Sequence, residues 1–163
     1  MNVKFLPILV AILVLGAASH GWAVDTAAAM KAVDPETASY VTPPSMPECA
    51  KMTVLSGDPA KGASMVLAKM ASGCVIPWHW HTPTETLMLV SGSGQLEMKG
   101  GNPFSFKPGA YLSLPSHHIH QATCGTTECV MFISSDAAFD IHYVDKKGRE
   151  IPMAQALKTK AKW

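Results

Sequence analysis

Gly73-Cys74-Val75-Ile76-Pro77-Trp78-His79-Trp80-His81-Thr82-Pro83-Thr84-Glu85 is the stretch that sets the fold and the chemistry. Taken as a strand from Val75 to His81, it turns alternate side chains to opposite faces. His79 and His81 then share a face with Val75 and Pro77, while Cys74, Trp78 and Trp80 take the other. A bulge in the strand would undo that parity. Thr82-Pro83-Thr84 turns the chain, and Glu85 opens the next strand in phase with Leu87 and Leu89. Two imidazoles and a carboxylate on one inner surface can reach a single ion at about 2 Å per bond. A further ligand must come from a distant strand. His120 is the leading candidate, and His118, of the same strand parity, is the alternative.

Outward from this stretch the text is a series of short apolar runs: Met52–Leu55, Ser64–Met70, Cys74–His81, Thr86–Val90, Gln95–Met98, Tyr111–Leu114, Ile119–Thr123, Val130–Ser134 and Asp140–Val144. Gly57-Asp58-Pro59, Ser91-Gly92-Ser93-Gly94, Gly100-Gly101-Asn102-Pro103 and Lys107-Pro108-Gly109 punctuate them. Short strands with turn chemistry at this spacing predict an all-β sandwich or barrel. Helical periodicity is confined to short stretches near Ala27–Ala32 and Ala154–Lys162, and no solenoid or propeller repeat is present. Ten methionines are scattered singly, as core filling requires and soft-metal binding does not.

Residues 1–23 read as a secretory signal: Lys4, an apolar run from Phe5 to Ala18, then small residues at Gly21 and Ala23, with cleavage expected after Ala23. The run is short for a membrane span, which needs about 20 residues. The expected organisation is a signal at 1–23, an Ala/Thr/Pro-rich lead segment at 24–48 that wraps the body loosely, a β-barrel at 49–145 and a solvated basic tail at 146–163. Removing the signal takes away Lys4 and no acid, so 13 basic side chains become 12, against 12 acidic. A neutral mature chain carries no electrostatic footprint for nucleic acid and has no second apolar span for a membrane. Four cysteines in an exported chain favour disulfides, with three possible pairings. Cys124 and Cys129 bracket Gly-Thr-Thr-Glu, a loop of hairpin size. That favours Cys124–Cys129 and leaves Cys49–Cys74 as the second bridge. A periplasmic or secreted location follows.

The chain resembles the cupin superfamily of metal-binding β-barrels across roughly residues 50–144. The first cupin motif is Gly, five residues, His-x-His, three or four residues, Glu, six residues, Gly; Gly73, His79, His81, Glu85 and Gly92 match it throughout. The second is Gly, five residues, Pro-x-Gly, two residues, His, three residues, Asn. Gly109, Pro115 and His120 match it, while His117 stands where Gly is usual and Cys124 where Asn is usual. At that turn His117 can carry positive φ, which His tolerates better than most residues. The resemblance implies a double-stranded β-helix, or jelly-roll, barrel. It also implies one divalent transition metal (Mn, Fe, Ni, Zn or Cu) held by His79, His81, Glu85 and His120, and pairing into a homodimer through an edge strand.

Three imidazoles and a carboxylate are costly to bury unless paired, and a cation resolves that cost. Metal cupins include dioxygenases, isomerases, decarboxylases and lyases, so the resemblance implies a metal-dependent enzyme, an oxidoreductase or an isomerase/lyase, acting on a small oxygen-bearing substrate. Glu85 and His118 are the leading catalytic acid–base candidates, with Tyr111 and Tyr143 behind them. His142 reads as a packed or surface imidazole. The alternative is a non-catalytic module that binds or senses a small molecule or a metal, and a third reading is a barrel whose metal only stabilises the fold.

Overall fold

Apolar runs broken by Gly and Pro do become strands. The structure, a computed structural model, describes residues 30–158, and there the chain forms β1 (Ala50–Gly57), β2 (Ser64–Met70), β3 (Val75–Trp80), β4 (Glu85–Ser91), β5 (Gly94–Met98), β6 (Phe104–Phe106), β7 (Tyr111–Leu114), β8 (His120–Cys124), β9 (Cys129–Ser135) and β10 (His142–Tyr143), followed by one helical turn, α1 (Met153–Ala156). The strands form two antiparallel five-stranded sheets, ordered β1-β2-β9-β4-β7 and β10-β3-β8-β5-β6. Non-consecutive neighbours in both sheets give the jelly-roll arrangement expected of a cupin barrel. The expected signal and its cleavage point, and the part of the tail beyond residue 158, lie outside the described residues. Residues 30–32, the described part of the expected Ala27–Ala32 helix, are not helical, and the C-terminal helix is the single turn α1. No helix among the described residues is long and apolar enough to cross a membrane.

Strand register stacks the inner side chains of the first sheet in rows. Ser64, Ser135, Glu85 and Leu114 form one row across β2, β9, β4 and β7. Val66, Ile133 and Leu87 form the next, then Ala68, Met131 and Leu89. On the facing sheet His79 pairs with His120, and further along Ile76, Ala122 and Leu96 align. Polar side chains thus gather at one end. The other end is an apolar core of Met70, Leu89, Leu96 and Phe106, with Cys74, Cys124 and Cys129 among them. Two disulfides close it, Cys49–Cys74 and Cys124–Cys129.

Gly92 shows why a motif position admits one residue type. It has φ 84°, and a Cβ there would lie 2.3 Å from the Glu128 carbonyl oxygen. A side chain would break the β4–β5 turn where it packs on β9.

The lead segment is more firmly held than composition predicts. Val41 bridges Met52, Met46 packs against the core, and the Tyr143 hydroxyl donates to the Ser45 carbonyl at 2.8 Å. The backbone bridge at Val41 and the packing of Met46 hold this stretch against the barrel as a strap.

Candidate metal centre

The parity expected for β3 does not hold. Ile76 pairs with Ala122 and His79 with His120, so three residues on β3 span what two span on β8. The bulge falls at Pro77-Trp78, where proline has no N–H to give the ladder. Ile76, not Val75 or Pro77, therefore shares the inner face with His79 and His81, and Cys74 lies inside rather than on the opposite face. The bulge also frees the Pro77 carbonyl, which accepts a hydrogen bond from His79 Nδ1 at 2.6 Å.

The same device recurs twice. His81 Nδ1 donates to the Asp140 carbonyl, and His120 Nδ1 donates to the His118 carbonyl at 2.9 Å. A carbonyl can only accept, so each neutral ring carries its proton on Nδ1 and leaves the Nε2 lone pair free. Asp140 does double service, because its Oδ1 also accepts from the Thr82 backbone N–H at 2.7 Å and so fixes the turn after His81.

His79, His81, Glu85 and His120 are all buried, at 3–5% exposure. One donor atom from each of His79, His81 and His120 lies within 4.8 Å of the others. Ring centroids are 4.2 Å apart for His79–His120, 4.7 Å for His79–His81 and 5.4 Å for His81–His120. Glu85 falls outside that three-way set and reaches it through His81, with Oε2 3.1 Å from Nε2. Burial pushes the Glu85 carboxyl up to about 8, helped by the nearby Asp140 charge. Burial brings His81 down to about 4 and holds His79 and His120 below the usual histidine range, with neighbouring imidazoles adding to the effect. Burial thus favours the neutral form of both members of the Glu85–His81 pair, in which the carboxyl O–H can donate to His81 Nε2. That proton occupies a place between two lone-pair donors that a cation can take. Three neutral imidazole lone pairs and one displaceable proton fit a divalent transition metal.

The cluster opens on a cavity of about 330 Å³. Its wall includes Ile76, Leu87, Leu96, Leu114, Met131, Ile133, Phe139 and Ile141, and the strap contributes Val41, Pro43 and Met46.

Several expected site residues lie elsewhere. The His118 side chain is exposed and does not line the cavity, because the turn holding His117 at φ 61° directs only the His118 carbonyl inward, onto His120. The His118 imidazole, expected as a catalytic acid–base group, thus stands outside the cavity. Tyr111 is 64% exposed, opposite Met88 on the outer face. Tyr143 is buried beside His79 but bonded to the strap, with burial pushing its phenol up to about 12. His142 stacks on Trp80 at 3.9 Å, and His117 stacks on the same indole at 4.7 Å, outside the cavity. The residues that pattern missed are Ser64, Ser135 and Asp140. No spacing signal marks them, since each arrives through strand register or a long loop.

The profile of the ChrR cupin-like domain family matches residues 28–138. No curated protein matches the sequence. Among solved structures, the polyketide cyclase RemF from Streptomyces resistomycificus is similar at 17% identity and a TM-score of 0.60, over 78% of this chain and 98% of that one. Rru_A2000 from Rhodospirillum rubrum, a cupin-2 domain, is similar at 13% identity and a TM-score of 0.57, over 73% of this chain and 82% of that one. The DMSP lyase DddQ from Ruegeria pomeroyi DSS-3 aligns at 20% identity and a TM-score of 0.48, over 52% of this chain, which spans only 45% of that lyase. At these identities the likeness is one of fold.

Proposed function

The chain belongs to the ChrR cupin-like family of the cupin superfamily, and from that premise we propose that it is an exported metal-dependent enzyme acting on a small oxygen-bearing substrate. One observation carries the reading. Three buried imidazoles, each tethered at Nδ1 to a backbone carbonyl, turn free lone pairs toward one another beside a buried carboxyl. His79, His81 and His120 would hold the ion, with Glu85 as the fourth donor. Such an ion supplies Lewis acidity for a substrate oxygen and, where redox-active, oxygen chemistry. The chain's own contribution is positional and electrostatic. The cavity wall excludes water, and Glu85 holds or moves a proton at Oε2. Oxygenase and isomerase/lyase reactions both suit that equipment.

Two disulfides fit an oxidising compartment, and Lys4 with the apolar Phe5–Ala18 run supports export. Sequencing the N-terminus of the mature protein should give Val24. A homodimer would use an edge strand, which sedimentation tests.

Metal analysis of the protein purified from its own compartment tests the centre. About one ion per chain is expected in the wild type and none in His120→Ala. A wild type that takes up no divalent ion ends the reading. Turnover is tested by O2 uptake or conversion of small carbonyl, enol and acid substrates with the Fe, Mn, Ni and Cu forms. A second reading, a binding or sensing module, draws on the exposure of His118, which leaves Glu85 as the buried acid–base group of the cavity outside the three histidines. Ligand-dependent thermal stabilisation without product distinguishes it.

A further inference from the structure

Ser64 and Ser135 are the remaining buried polar residues of the cavity, and nothing above gives them work. They are 8% and 5% exposed, and both line the cavity. Register pairs Ser64 with Ser135 and Ser135 with Glu85. Side chains directly opposed in antiparallel strands stand about 5 Å apart at Cβ. Two hydroxyls therefore extend the carboxyl of Glu85 into a polar row across three strands, facing the histidines on the other sheet. The next rows, Val66–Ile133–Leu87 and Ala68–Met131–Leu89, are wholly apolar.

The rest of the lining narrows the ligand further. Lys51, itself exposed, supplies the cavity's one ammonium group, and among the described residues the lining contains no Arg, Asn, Gln, Thr or Tyr. A carboxylate or phosphate placed among Met70, Ile76, Leu96 and Met131 would be buried without a partner, and a sugar would leave most of its hydroxyls against hydrocarbon. The volume corresponds to about eleven water molecules, room for a single ring carrying a substituent.

We propose that the site takes a neutral, compact molecule with two neighbouring oxygens at one end and a hydrocarbon body, and that Ser64 and Ser135 position the oxygen-bearing end by hydrogen bonds. Each hydroxyl can both donate and accept, so the row serves a diol, a hydroxyketone or an enol equally. The inference rests on the metal-centre reading above and adds the substrate class and two positioning residues.

The zinc-loaded full chain, titrated calorimetrically, tests it. Zinc is redox-silent, so binding is read without turnover. Catechol and cyclohexane-1,2-diol are expected to bind, while 3,4-dihydroxybenzoate, whose charge falls at the apolar end, and glucose do not saturate at tenfold higher concentration. Ser135→Ala and Ser64→Ala should each weaken diol binding by about threefold to tenfold, the worth of one hydrogen bond, at unchanged zinc content. Cyclohexanol, which has a single oxygen, should be weakened by at most one of the two variants. Ser113→Ala, on the exposed outer face of β7, should change nothing. If Ser135→Ala fails to fold, Ser64→Ala gives the same readout. 3,4-dihydroxybenzoate binding as tightly as catechol overturns the substrate class. Diol affinity indifferent to both serines, or no diol binding with zinc in place, overturns the positioning. A chain that takes up no zinc removes the premise instead, and zinc content measured beforehand tells that failure from the others.

Discussion

The two ends of this cavity are built on opposing physics. At one, His79, His81, His120, Glu85, Ser64 and Ser135 are withdrawn from water, and the backbone answers with three carbonyls, of Pro77, Asp140 and His118, spent on holding imidazoles. At the other, Met70, Leu89, Leu96, Phe106 and Met131 pack around Cys74, Cys124 and Cys129, and the two disulfides constrain the unfolded chain. Buried polar groups contribute little net stability, because their desolvation offsets the hydrogen bonds they make. Apolar packing and cross-links are stabilising at any metal content. The stapled opposite end can therefore hold the strands in register without help from the polar end.

Four perturbations sharpen or break that contrast. The largest is removal of Cys49–Cys74, whose partners are 25 residues apart. Loop-closure entropy puts the loss at about 3.5 kcal/mol. Denaturant melts of Cys49→Ala/Cys74→Ala should show it while metal stoichiometry stays at the wild-type value. If the metal is lost instead, the ends are not independent.

His79→Ala comes next. Changing a group that merely orients a ligand costs up to about 100-fold in metal affinity, so losing the ligand should cost at least about that much, as competition with a chelator would report. The metal-free variant should melt no lower than the metal-free wild type, because a buried polar ring has gone.

Removing Cys124–Cys129, only 5 residues apart, should cost less, about 2 kcal/mol by the same entropy. A loss as large as that for Cys49–Cys74 would show that packing of the buried sulfurs, rather than loop length, sets the scale.

The smallest effect is on pH dependence. Folding raises Glu85 from its ordinary 4.5 to about 8 by burial. Between those values the folded metal-free chain holds a proton that the unfolded chain releases, so stability falls as pH rises through that window. The histidines act in reverse. Their pKa values are lowered by burial, so the unfolded chain takes up protons that the folded chain refuses, and stability falls as pH drops below about 6.5. Glu85→Gln should remove the decline above about 6.5 and make the acid-side decline steeper, because the two slopes oppose each other between 4.5 and 6.5. At pH 7 it should also abolish the release of about one proton when metal binds, measurable by titration in buffers of different ionisation heat. A wild-type protein that releases none would show that Glu85 does not yield its proton to the ion.

Much of this was legible in the chain itself. Turn residues between short apolar runs gave nearly every strand, and the spacing of Gly73, His79, His81, Glu85 and Gly92 marked the polar end. Strand phase was not legible. Pro77 marks the strand as irregular, but whether the irregularity falls before or after it depends on how β8 pairs, and β8 lies more than 40 residues away. His118 departs from its expected inward phase for a related reason. Equal parity with His120 presumes one continuous strand, whereas β8 begins only at His120 and the turn at His117 rotates the side chain before it outward.

What the sequence determined by itself was an inventory: an all-β alternation, a paired set of cysteines, and a histidine–glutamate spacing that local geometry alone turns toward a common surface. Tertiary structure decided which atoms of that inventory act together. The carbonyls that fix each imidazole and the serines that join Glu85 reach the site across the sheets or from a bulge and a loop. Backbone acceptors carry no residue signature, and cross-strand neighbours are chosen by register, so no local pattern can announce either.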